Sequence, residues 1–185
     1  MKSFVFRAIP VLMFLGLVTC GPTMAQGNDN DGCSNATLKG DYAFTVSGQI
    51  FIPNGPTIQR EGIAMTHFDG DGGLTQVDFV LSSPNAAPPP GKAPTDTTTG
   101  FHTDETGTYT VNRDCTGNFT INFPPFVTSS GATVPGAIIS VQFVLSNDGK
   151  AIHSIVSSLK LPGGLGPVPA LIRSEGHKLG RVGKG

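Results

Sequence analysis

The sequence predicts an all-β protein, an eight-stranded antiparallel up-and-down barrel, with a two-sheet β-sandwich as the alternative. Three observations lead there. Runs of period-two alternation, rich in β-branched and aromatic residues, recur along the chain. The connections between them alternate in kind: tight Asp/Asn/Gly turns fall at 69–73, 114–117 and 147–149, and looser Pro/Gly-rich stretches at 53–56, 83–99, 126–136 and 161–167. Pro and Gly also interrupt too often for a sustained 3.6-residue apolar period, so no helix is expected beyond the first segment. In a meander, successive connections lie at opposite ends, which gathers the tight turns at a base and the loose loops at a mouth. Eight strands suffice to close such a sheet, and closure removes its exposed edges.

The first element is a targeting signal, residues 1–25. Lys2 and Arg7 form its basic region, Ala8 to Val18 its apolar stretch, and Thr23-Met24-Ala25 a small-residue exit. The apolar stretch is too short to persist as a membrane span. Leu17-Val18-Thr19-Cys20 approximates a lipobox, with Thr19 where Gly or Ala is usual, and gives the alternative of an anchor through lipidated Cys20. The expected localisation is therefore secreted or periplasmic, with membrane attachment only by that route. Residues 26–37 are expected to be a flexible lead-in, 38–178 a single barrel domain, and 179–185 a flexible basic tail.

Removing the signal from 185 residues leaves 160, the size of one domain. Ten basic residues then face thirteen acidic ones, a net charge of −3, which speaks against a nucleic-acid partner. Two cysteines remain, Cys33 and Cys115, and in an exported domain two cysteines pair. The closed loop of about 80 residues is worth on the order of 4 kcal/mol in the chain-entropy treatment. Cys33 precedes strand one and Cys115 follows strand four, so the topology places both at the base.

The strands follow in order. Residues 39–52 carry Tyr42, Phe44, Val46, Ile50 and Ile52 on one face, and 57–68 and 74–82 form a hairpin over the Asp-Gly turn. Residues 100–112 hold Tyr109 and Val111. Residues 118–123 alternate Phe119, Ile121 and Phe123 with Asn118, Thr120 and Asn122. The last three strands are 137–145, 150–159 and 169–177.

Motifs with chemistry are few. Asp69-Gly70-Asp71-Gly72-Gly73 is calcium-loop-like but has Val80 where an EF-hand needs its twelfth-position Glu, and reads as a hairpin turn. Ser157-x-x-Lys160 falls at a strand end, where residues three apart face opposite ways. His67, His102, His153 and His177 sit singly on four strands, so spacing supplies no metal site, and no cofactor is expected. Asn35-Ala36-Thr37 and Asn118-Phe119-Thr120 match the glycosylation triplet. Pro88-Pro89-Pro90 and Phe123-Pro124-Pro125-Phe126 mark stiff loops at the mouth, open to a partner.

One strand face offers ligand-binding candidates. Glu61, Met65 and His67 point the same way; if inward, they present a carboxylate, a thioether and an imidazole to a cavity. The commoner arrangement is an amphipathic exterior, and the opposite face, Ile58 to Phe68, is no cleaner.

Two stretches together resemble a known group. Cys33-Ser34-Asn35-Ala36-Thr37-Leu38-Lys39-Gly40-Asp41-Tyr42-Ala43-Phe44 and Gly107-Thr108-Tyr109-Thr110-Val111-Asn112-Arg113-Asp114-Cys115-Thr116-Gly117 resemble bacterial exported proteins of unknown function. Those proteins open with Cys and Leu-Lys-Gly-x-Tyr-x-Phe and carry Gly-Thr-Tyr-x-Val-x-x-Asp-Cys-x-Gly midway. More distantly, the chain looks like the allene-oxide-cyclase/dirigent type of eight-stranded barrel. That likeness implies fold alone and carries over no catalytic residue.

The leading expectation is an exported barrel, not an enzyme, that binds a small apolar molecule or acts at the cell envelope. A cyclase- or isomerase-like barrel is the second reading and needs converging acid and base groups, such as Glu61 with His67. An outer-membrane barrel is the third, poorly supplied with girdle aromatics because the chain has no Trp and only Tyr42 and Tyr109.

Overall fold

Eight strands close into one antiparallel barrel in the computed structural model, which describes residues 32–84, 100–146 and 148–180. In chain order the strands are β1 (Gly40–Phe51), β2 (Thr57–Phe68), β3 (Gly73–Pro84), β4 (His102–Val111), β5 (Thr116–Asn122), β6 (Phe126–Val127), β7 (Thr133–Val134), β8 (Ile138–Ser146), β9 (Ala151–Lys160) and β10 (Ala170–Lys178). The ring runs β1-β2-β3-β4-β5-β8-β9-β10 and returns to β1, an up-and-down meander. Its closing seam pairs Tyr42 with Lys178 through to Ile50 with Ala170. The sandwich alternative is thereby excluded.

The two-residue strands β6 and β7 form a small hairpin of their own inside the β5–β8 connection, which the sequence reads as an irregular loop. Two short 3-10 turns, Asn35–Leu38 and Pro162–Gly164, are the helical segments among the described residues.

The base is filled. The Phe68 ring meets Tyr42 edge-on at 5.4 Å and Tyr109 at 5.0 Å, geometries that the ring quadrupoles favour. Leu38, wholly buried, joins this aromatic cluster from below. Gly176 makes room for the Phe44 ring, which a Cβ there would approach to 2.4 Å. The Asp69–Gly73 turn is held by its own first side chain. Asp69 Oδ1 accepts from the backbone N–H of Asp71, Gly72 and Gly73 at 2.7–3.0 Å, and those bonds hold its carboxyl below the usual range. Gly72, at φ 121°, supplies the left-handed backbone that the turn requires.

The expected lead-in is partly built into this base. Cys33 and Cys115 form a disulfide with Cα atoms 4.9 Å apart, spanning 82 residues, and the Cys33 N–H donates to the Arg113 carbonyl. Asn35 Oδ1 accepts from the Val111 N–H at 2.8 Å, and its amide donates to the Asp71 carbonyl. The described part of the expected lead-in, residues 32–37, is thus tied to two base turns by a crosslink and a side-chain bridge. The segment expected to be a signal (1–25), the Pro88–Pro90 stretch and residues 181–185 lie outside the described residues.

Candidate functional site

Above the aromatic base the barrel is hollow. A cavity of about 780 Å³ runs to the mouth, with Val46, Ile50, Ile121, Ile139, Val156 and Ile172 on its walls. Phe101, Phe123, Pro124, Pro125 and Phe126 rim the opening, as expected for the loop carrying Phe123 to Phe126.

Strand register writes a polar patch into this largely apolar wall, which Arg60 and Ser174 also border. A row across four neighbouring strands aligns Phe44, Ala64, Asp78 and His102; the row beneath it aligns Tyr42, Thr66, Gln76 and Glu105. The lower row is chained by hydrogen bonds. The Thr66 hydroxyl donates to Gln76 Oε1 at 2.7 Å, and Gln76 Nε2 donates to Glu105 Oε2 at 2.8 Å. In the upper row, His102 Nδ1 lies 2.7 Å from Asp78 Oδ1. Asp78 and His102 face the cavity, and Glu105, wholly buried, sits behind them. Its Oε1 has no hydrogen-bond partner.

Burial, and next the charge of Asp78, push the Glu105 carboxyl up to about 8, while the hydrogen bond from Gln76 pulls the other way. At neutral pH the folded protein thus holds a proton on Glu105 that a solvated Glu would have released.

A β-bulge makes this cluster possible. Between Gln76 and Asp78 on β3, the opposing strand β4 runs from Glu105 to His102, one residue more than its partner. Asp104, in the extra stretch, adopts a left-handed φ of 64°. The slip changes the phase of β4, so that His102 and Glu105, three apart in sequence, both turn inward.

The candidates Glu61, Met65 and His67 do not line the lumen. On β2 the inward residues are Arg60, Ala64, Thr66 and Phe68, and Glu61, Met65 and His67 lie exposed on the outer wall. The pairing of Glu61 with His67 as a lumen acid and base is therefore corrected: both belong to the barrel's exterior. Met65 and His67 instead border a shallow outer depression of about 380 Å³ near Asp41 and Asp104.

There His67 Nδ1 approaches Asp41 Oδ1 at 2.7 Å, the same distance as in the lumen pair. The side chains of His67 and Asp41 are each 55 % exposed, whereas Asp78 is 7 % exposed beside a 36 % exposed His102. The outer pair is screened by water more than the inner pair.

No known family, curated protein or solved structure matches the chain. The site must be read from its own chemistry.

The other sequence motifs serve structure. The Ser157 hydroxyl donates to the Ser140 carbonyl, and His153 lies outward with Nε2 3.2 Å from the Ser146 hydroxyl. Asn35 of the first glycosylation triplet is engaged by Val111 and Asp71, so its amide is committed to the fold.

Proposed function

We propose that the protein is an exported carrier or sequestering barrel that binds one small, mostly apolar molecule in its lumen. The observation that carries this reading is the hollow apolar interior with the Asp78–His102 pair on one wall. A cavity of this size, greasy on most sides with a few convergent polar groups, has the makeup of a small-molecule pocket. The bound molecule is an amphipath: its apolar body lies against Val46, Ile50, Val156 and Ile172, and its polar group reaches Asp78 and His102.

Export is supported by the sequence of residues 1–25 and by the disulfide, which is consistent with an oxidising compartment. No helix among the described residues is long and apolar enough to cross a membrane. The polarity of the barrel wall weighs against the outer-membrane reading. Thr45, Glu61, Asn118, Gln142, His153 and Glu175 face outward, while Phe119, Ile121, Val141, Leu159 and Ile172 face inward. A membrane barrel needs the reverse, an unbroken apolar band outside.

Titration of the purified protein with a neutral fluorescent apolar probe, N-phenyl-1-naphthylamine, tests this reading. Saturable one-to-one fluorescence enhancement is the expected result. Enhancement that never saturates, or none, would overturn it.

A further inference from the structure

We propose that Asp78, His102 and Glu105 bind one divalent transition-metal cation on the lumen wall. Each residue offers one ligand atom, and the three atoms lie within 4.8 Å of one another. The two carboxyl groups of this cluster are buried, Asp78 almost and Glu105 wholly, unlike the acidic patches common on protein surfaces.

The independent sign of a ligand is Glu105 Oε1. It belongs to a wholly buried side chain, and apart from the neighbouring Asp78 carboxyl, which only a proton could bridge to it, it has no hydrogen-bond partner. Leaving such an oxygen unpaired is costly, so folded proteins rarely retain one without use. Its sister Oε2 is fixed by Gln76, which is fixed in turn by Thr66. An outer layer of this kind orients a metal-binding carboxylate and holds its free oxygen toward the ion.

Charge argues in the same direction. Two carboxyl groups lie side by side in a largely apolar wall, together with the His102 imidazole. A dication between them would offset the negative charge that the two carboxylates bring together.

The donor set selects the class of ion. One imidazole nitrogen with two carboxylate oxygens suits Zn²⁺, Co²⁺, Mn²⁺ or Fe²⁺ more than the all-oxygen shells of Ca²⁺ or Mg²⁺. Three protein ligands leave a position open, and Asp78 and His102 border the lumen, so that position faces the cavity. A bound molecule bearing a carboxylate, enolate or other anionic oxygen would complete the coordination. This goes beyond the carrier reading and is tested without any apolar ligand, so the two fail separately.

The experiment uses the full protein, stripped with chelator and titrated with Zn²⁺ by calorimetry and with Co²⁺ by visible absorption. The expected result is one equivalent of each ion, with a Co²⁺ spectrum of low coordination number. Glu105→Gln keeps the side chain's shape and should weaken Zn²⁺ binding at least about tenfold; His102→Gln should do likewise. His67→Gln, on the outer wall, should change nothing. If a lumen variant fails to fold, the wild-type protein still decides, because Zn²⁺ must raise its melting temperature and chelator must reverse the rise. Absence of binding at millimolar Zn²⁺ would overturn the proposal and leave a shared proton as the occupant. Binding that survives Glu105→Gln but is lost in His67→Gln would overturn it equally.

Discussion

The two ends of this barrel are built from the same strands and differ in how their inward residues fill space. At the base, Tyr42, Phe68, Tyr109, Phe119 and Leu38 interlock, and the Cys33–Cys115 bridge crosses beneath them. At the mouth, Val46, Ile50, Val156 and Ile172 line the wall without reaching its far side, and about 780 Å³ stays open. Large rings close one end and branched aliphatics leave the other free. The base carries stability, and the mouth leaves room for the ligand proposed above.

Truncations at the two ends should therefore differ most in cost. Phe68→Ala removes a ring packed on three sides and should destabilise by about 4 kcal/mol in urea denaturation. Val156→Ala, beside existing free volume, should cost only about 1 kcal/mol. Replacing both Cys33 and Cys115 with Ala should cost about 4 kcal/mol while leaving probe binding at the mouth intact. Equal costs for Phe68→Ala and Val156→Ala would erase the distinction.

The next effect concerns pH. The folded-state pKa of Glu105, about 8, lies above its ordinary value of 4.5, so the folded protein binds the proton more tightly than the unfolded chain. The stability this contributes is complete below about pH 4.5 and is lost as pH rises through about 8. Glu105→Gln removes the proton exchange. In metal-free protein, wild type should lose on the order of 3 kcal/mol relative to Glu105→Gln between pH 5 and pH 8. Parallel stability curves would contradict the assignment.

The smallest effect separates the two His–Asp pairs. A double-mutant cycle to Ala should give a coupling of about 2 kcal/mol for Asp78 with His102 and under about 1 kcal/mol for Asp41 with His67. Similar values would mean that the lumen is as wet as the surface.

Much of the fold was legible because period two and turn chemistry are local. The Asp69–Gly73 turn, the Tyr42/Phe44/Val46/Ile50 face and the Phe119/Ile121/Phe123 face all appear where alternation puts them. The two cysteines met because the meander set both at one end. The site was illegible for equally local reasons. On β3 the more apolar face, Val77, Phe79 and Leu81, turns outward, and the polar face with Gln76 and Asp78 turns in. On β4 strict alternation puts His102 and Glu105 on opposite sides, and only the bulge at Asp104 unites them. The available signal was Asp104 itself, since Asp is among the few residues that tolerate a left-handed backbone. On β2 neither face was cleaner, so Glu61, Met65 and His67 drew notice for their chemistry although they face outward.

The most direct measurement places a tryptophan on each side of the wall, in a chain that has none. Ala64 borders the lumen, and its neighbour Ile63 is 51 % exposed on the outside. Ala64→Trp should occupy the cavity and abolish binding of N-phenyl-1-naphthylamine, while Ile63→Trp should bind it one-to-one as wild type does. Undiminished binding in Ala64→Trp, or loss in Ile63→Trp alone, would contradict a ligand site inside the barrel.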